Sequence, residues 1–129
     1  MKTIKVVAAI IVHDGKVFAT QRGYGDWKDW WEFPGGKIEP GETPEQALVR
    51  EISEELDSQI AVDRHLRTID YDYPAFHLNM QCFLCHVTKG DLVLKEHESA
   101  AWLDRESLRS VNWLPADLEL IGQLEAELQ

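Results

Sequence analysis

Four glutamates and one arginine, Glu42, Arg50, Glu51, Glu54 and Glu55, are crowded into residues 34–58, PGGKIEPGETPEQALVREISEELDS, behind the turn Gly35-Gly36. Ionised carboxylates only accept hydrogen bonds, and several held together bind hard divalent cations through oxygen. To converge they need a rigid carrier, and the sequence supplies its start at Thr43-Pro44-Glu45-Gln46. Thr43 is placed as the N-cap, Pro44 takes the first helical position where its missing N–H costs nothing, and Gln46 closes a capping box. No breaker follows until Asp57. At about 100° per residue, Glu51, Glu54 and Glu55 fall within an arc of about 100°, while Leu48, Val49, Ile52 and Leu56 occupy the neighbouring arc. One side is predicted to pack and the adjacent side to carry three carboxylates. Like charges at such spacings destabilise a bare helix by a few tenths of a kcal/mol each, and a bound divalent cation would reverse that sign. Taken alone, the three glutamates read first as a solvated acidic face.

The full spacing is more specific. Gly36, five residues, Glu42, seven residues, then Arg50-Glu51-Ile52-Ser53-Glu54-Glu55 resembles the Nudix box, the signature of hydrolases acting on nucleoside diphosphates linked to another group. Six fixed positions at roughly one in fifteen each make a chance match about one in ten million per start site. The resemblance implies Mg²⁺, or Mn²⁺, held by Glu51, Glu54, Glu55 and the Gly36 carbonyl, with Arg50 and Glu42 orienting the box. Two positions depart from the family pattern, which has Gly and then an aliphatic residue after the glutamate pair; here they are Asp57 and Ser58. Gly there would be the left-handed helix cap, a conformation that Asp tolerates less well, so the helix end is where this chain is expected to differ.

The surrounding elements must position this stretch. Residues 3–13 and 16–22 read as a hairpin around Asp14-Gly15, both segments rich in Val, Ile, Ala and Phe. The string Trp31-Glu32-Phe33-Pro34-Gly35-Gly36-Lys37 is nearly word for word the lead-in of MutT-like members. That likeness puts Phe33 beside a nucleobase, Lys37 among the supporting residues, and Arg22, at the end of the hairpin, on a phosphate. Trp27, Trp30 and Trp31 either pack across a sheet edge or form a base-stacking wall. Residues 59–73 and 76–87 read as two long strands around Pro74-Ala75, with Phe76 a candidate for choice of base. In many Nudix enzymes a glutamate before a Trp-Leu strand adds one more carboxylate to the metals or orients the water. Glu96 matches that place, with Glu98 the fallback. Trp113-Leu114-Pro115-Ala116-Asp117 opens a last helix in which Leu118, Ile121, Leu124 and Leu128 recur at helical spacing. MutT-like enzymes that clear oxidised guanine nucleotides carry Asn where Asp117 stands. An ionised Asp suits an exocyclic amine such as N4 of cytosine, and a protonated one could also donate; the plain alternative is a first-turn acid favoured by the helix dipole.

With 129 residues, 44% of them hydrophobic and five of them Trp, the chain suits a single domain, 1–129. The expected fold class is α/β: the Nudix fold, a mixed sheet between helices in an alpha-beta-alpha sandwich. A net charge of −10 argues against nucleic acid or membrane as partners. It suits polyphosphate only if the carboxylates hold a metal that inverts the local field. The short, alternating N-terminal apolar run is not a signal peptide, so the expected location is cytoplasmic. Cys82 and Cys85 form a C-x-x-C inside a strand, which would send them to opposite faces as reduced structural residues. His65, His77 and His86 lack zinc spacing.

The expected activity is Mg²⁺-dependent hydrolysis of a (deoxy)nucleoside triphosphate to the monophosphate and pyrophosphate, in the style of CTP pyrophosphohydrolases. A cytidine-type or modified base is expected, the small-molecule nucleotide being the partner of a monomer or homodimer. Glu51 or Glu96 would take the proton of the attacking water. One alternative is ADP-ribose or a dinucleoside polyphosphate as substrate; Tyr73-Pro74 lies near a marker of such subfamilies, but MutT-like chains share the proline. A second is a non-catalytic nucleotide-binding module, whose signature would be lost box carboxylates, and none is lost.

Overall fold

The computed structural model describes residues 1–128. Strand β1, Lys2–His13, and strand β2, Lys16–Gln21, are joined by Asp14 and Gly15, both left-handed at φ 50° and 72° as a two-residue hairpin turn demands. Short strands β3, Trp31–Glu32, and β4, Gly35–Lys37, precede helix α1, Pro44–Leu56. Long strands β5, Gln59–Tyr73, and β6, Phe76–Lys89, follow, then β7, Ser99–Leu103, a 3-10 turn at Leu108–Ser110, and helix α2, Pro115–Glu127. Neither helix is long and apolar enough to cross a membrane.

β1 is the axis of the sheet. It meets β2 only at Val12↔Val17 and His13↔Lys16, then β4 antiparallel at Val6–Ala8, and β6 in parallel from Lys2↔Phe76 to Ile11↔Cys85. β3 and β7 both pair with β2, and β5 with β6, giving seven strands in a mixed sheet. A strand covered on both faces reads as a continuous apolar run, and β1 does so. Its Val7, Ala9 and Ile11 join Leu48, Ile52 and Leu56 of α1 in one core; its Ala8 and Ile10 join Leu120, Ile121 and Leu124 of α2 in the other. The chain is thus the α/β, alpha-beta-alpha sandwich expected. The same alternation sends Cys82 to the α2 side and Cys85 to the α1 side, where burial pushes both free thiols up to about 12 and leaves them inert.

Two positions depart from the expected packing arcs. Val49 is 39% exposed and Leu118 48% exposed. Each lies just past the edge of its helix's buried stripe, roughly 20° beyond Leu56 for Val49 and roughly 60° beyond Ile121 for Leu118, and Ala47 and Ala116 are buried in the stripes instead.

Helix α1 ends as the family's glycine would make it end. Asp57 adopts the left-handed cap conformation itself, φ 50° and ψ 40°. Ser58, buried at 3% exposure, then takes a second role: its Oγ donates to the Leu56 carbonyl (3.0 Å) and accepts from Leu92 N (2.8 Å), while Val93 N donates to the same Leu56 carbonyl (2.9 Å). The departure at 57–58 therefore ties the start of the 92–98 segment to the end of α1.

Candidate active site

Arg50 is the hub of α1. Its Nε and Nη2 donate to the two Glu42 oxygens at 2.6 and 2.9 Å, Nη2 also donates to the Lys37 carbonyl at 3.0 Å, and Nη1 donates to Glu51 at 2.9 Å and Glu54 at 3.4 Å. One guanidinium fork thereby fixes the 37–42 loop to the helix. The bidentate pair, together with Glu39 N on Glu42 (2.9 Å), holds the Glu42 carboxyl at about 2 and raises the Arg50 pKa. Gly36 is needed for close approach: a Cβ there would run into the Glu51 carboxyl group.

A cleft of about 450 Å³ opens beside this network. It is bounded by Gly36, Lys37 and Glu55 on the box side, by Arg22, Glu32, Phe33 and Asp117 at its floor, and by Phe76, Glu96 and His97 on its rim and far wall. The floor is stitched together by backbone. Trp31 N donates to Asn112 O and Leu114 N to Trp31 O, both at 2.8 Å, so β3 runs alongside the entry to α2. That brings Asp117 Oδ2 to Phe33 N at 3.0 Å and stacks Phe33 on Trp113, centroids 4.6 Å apart. Asp117 is 4% exposed, and burial, reinforced by the nearby Glu32 charge, pushes its carboxyl up to about 8. Glu32 faces Arg22 at 3.2 Å, and its own pKa is raised by burial against the lowering influence of that guanidinium. At the rim Phe76 stacks on Tyr73 (5.2 Å), Tyr73 meets Trp27 edge-on (5.9 Å), and the Tyr73 hydroxyl accepts from Ala116 N (3.2 Å). Of the three tryptophans, Trp27 alone lines the cleft; Trp30 packs edge-on against it, and Trp31 belongs to β3.

Glu55 is where the charges meet. Burial comes first, then the charge and a hydrogen bond of Glu51 and the charges of Glu32 and Glu96; together they push its carboxyl up to about 8. Glu96 is exposed and its Oε2 accepts from the Tyr24 hydroxyl at 3.0 Å. Glu98 turns away from the cleft to Lys28 (3.6 Å), so of the two candidates it is Glu96 that lines the cleft. Glu54 stands at the periphery, its side chain 60% exposed, with Arg50 its one ion-pair partner among the described residues.

Residues 2–124 match the model of the NUDIX domain family. The chain belongs to the Nudix family. It is 36% identical over 122 residues to the CTP pyrophosphohydrolase of Escherichia coli K12, covering 94% of this chain and 90% of that one. It is 35% identical over 126 residues to an 8-oxo-dGTP diphosphatase of Haemophilus influenzae, covering 95% and 92%. Among solved structures, that of the E. coli ORF135 protein superposes with a TM-score of 0.81 at 37% identity, over 99% of this chain and 90% of that one. A MutT Nudix hydrolase of Burkholderia pseudomallei gives 0.82 at 28% identity, over 95% and 98%.

This Nudix hydrolase is an enzyme of a family that uses divalent metals such as Mg²⁺. Among the described residues no three His, Cys, Asp or Glu side chains are already closed into a ligand set. The donors nevertheless fit a hard cation. They are all oxygens, and behind the burial that chiefly raises the Glu55 pKa stands repulsion from Glu51, Glu32 and Glu96, which a divalent ion would relieve. Local spacing does not point to Glu32 or His97, both of which line the cleft. Glu32 sits inside the Trp31-to-Lys37 string, but its pairing with Arg22 depends on the β2–β3 register. His97 lies between two acids, and only the β2–β7 pairing turns it inward.

Proposed function

We propose that the chain hydrolyses a (deoxy)nucleoside triphosphate, a cytidine-type base first, to the monophosphate and pyrophosphate. The observation that carries the base choice is Asp117: 4% exposed, lining the cleft floor, with one oxygen already accepting from Phe33 N and its carboxyl pushed up to about 8. Near neutral pH it carries a proton and offers one donor and one acceptor side by side. Cytosine presents the complement, an acceptor at N3 and an amine at N4. Phe33 and Phe76 supply apolar surface for the ring, and Arg22 meets a phosphate. Glu51, Glu54, Glu55, Glu96 and the Gly36 carbonyl would hold Mg²⁺ or Mn²⁺. Bound there, the metal polarises the phosphates and lowers the pKa of water. Arg50 and Glu42 hold the glutamates in place, and Lys37 supports the loop between them. Water attacks an inner phosphorus, the anhydride P–O bond breaks, and Glu51 or Glu96 accepts the water's proton.

A second reading, an oxidised guanine nucleotide, is favoured by the H. influenzae relative at 35% identity. Guanine's N1–H and N2 amine would pair with an ionised Asp117 instead. A panel of CTP, dCTP, 5-methyl-dCTP, oxidised dGTP and ADP-ribose, assayed for pyrophosphate or monophosphate release with Mg²⁺, separates the two. Cytidine nucleotides are expected to turn over fastest. Cleavage of ADP-ribose alone would overturn the Asp117 argument.

A further inference from the structure

Five histidines occur in the chain, and four of them have partners on exposed faces: His13 with Asp14, His65 with Thr68, His77 with Asp70 and Asp72, His86 with Asp63. His97 differs. Its side chain is 10% exposed, it lines the cleft, its Nε2 lies 3.9 Å from Glu55 Oε2, and its Nδ1 is buried with no partner. Among the described residues one other buried side-chain nitrogen is unpartnered, Arg22 Nε, and it lines the same cleft.

The backbone holds His97 there. Glu98 N donates to Gln21 O (3.1 Å), and carrying the β2–β7 register two steps past Gln21↔Ser99 sets Arg22 opposite Glu98 and then Gly23 opposite His97. A Cβ on Gly23 would come within 2.6 Å of the Glu96 carbonyl and 3.2 Å of Glu98 N, so only glycine lets the 96–98 segment lie this close. At its other end the segment is pinned to α1 through Ser58. An imidazole with one ring proton offers one donor and one acceptor. Glu55 is ionised when it holds a metal, so Nε2, which faces it, then carries the hydrogen; Nδ1 is left an acceptor, and the other unpartnered buried nitrogen of the cleft is the donor Arg22 Nε–H, whose charge reaches His97. Contacts of this kind are long in a free enzyme and shorten when the site is loaded.

We infer that His97 is a positioning residue, with Nε2 orienting the metal-binding carboxylate of Glu55 and Nδ1 orienting the guanidinium of Arg22 toward phosphate. This rests on the roles proposed above for Glu55 and Arg22. It gives one imidazole control of two halves of the site, the metal side and the phosphate side.

Three variants separate those halves. His97→Leu fills the space without polar atoms; His97→Gln keeps a donor near the Nε2 position; His97→Asn keeps an acceptor near the Nδ1 position. Mn²⁺ affinity is measured by calorimetry without nucleotide, and KM and kcat are measured separately with CTP and Mg²⁺. His97→Leu is expected to weaken Mn²⁺ about tenfold and raise KM about tenfold. His97→Gln should restore the first and not the second, His97→Asn the second and not the first. If His97→Leu leaves both unchanged, or if His97→Gln and His97→Asn behave alike, the inference fails. Should His97→Leu not fold, the contrast between Gln and Asn still decides. Mn²⁺ binding without turnover of any nucleotide by the unaltered chain would sink the proposed function while leaving the His97–Glu55 half testable.

Discussion

Asp117 ties the stability of the fold to pH and, on the proposed function, to the choice of base. Its pKa is about 8 in the fold against 3.8 in the unfolded chain, so its contribution to stability is fully present below about pH 3.8 and is lost as pH rises through 8. Asp117→Asn cannot ionise yet can still accept from Phe33 N. Measured by thermal unfolding between pH 4 and 8.5, the Asn variant is expected to gain on the unaltered chain steadily toward alkaline pH; parallel curves would show that Asp117 is ionised throughout. At this scale much was legible in the sequence. Arg22, Phe33, Phe76, Glu96 and Asp117 all line the same cleft as Gly36 and Glu55, whereas Glu51 and Glu54 lie outside its lining. Glu32 and His97 were not legible, since strand pairing and not local spacing aims them.

The box helix and its loop behave as one element. Arg50 bonds Glu42, Glu51 and Glu54 together with the Lys37 carbonyl, so acid should loosen the loop before the core. The Glu42 pKa is held at about 2 against 4.5 unfolded; the pair's stabilisation is therefore complete above about pH 4.5 and is lost as pH falls toward 2. Glu42→Gln is expected to lower the melting temperature at pH 7, with a smaller deficit at pH 3 that closes only as pH reaches about 2, and an equal deficit at pH 7 and pH 3 would contradict this. At the other end of α1, Asp57 holds a left-handed backbone at the negative pole of the helix. Asp57→Gly removes both penalties and is expected to add about 1 kcal/mol, a rise of roughly 4 °C in the midpoint. A lower midpoint would mean that the Asp57 side chain makes a contact worth more than its strain. The helix, its cap and the opposed faces of Cys82 and Cys85 could be read from periodicity. Ser58 as an anchor for the 92–98 segment could not, because its partner Leu92 lies 34 residues away.

For the whole molecule the governing fact is a net charge of −10, which the proposed function must reconcile with a polyphosphate substrate in the cleft. The alpha-beta-alpha layering puts the acidic face of α1 against β4 and the 92–98 segment, while the β3–α2 seam places Phe33 and Asp117 at the cleft floor, where the proposed function seats the base. The acid cluster and the nucleotide are compatible only through a divalent cation, so the metal is the hinge of the account. Glu54 offers the cleanest probe of it, since at 60% exposure its replacement cannot disturb packing. The decisive measurement is pyrophosphate release from CTP with Mg²⁺ by the unaltered chain and by Glu54→Gln, with circular dichroism confirming that both are folded. The unaltered chain is expected to release pyrophosphate and CMP in equal amounts, and Glu54→Gln to lose activity by on the order of a hundredfold or more. Undiminished turnover by a folded Glu54→Gln would contradict it.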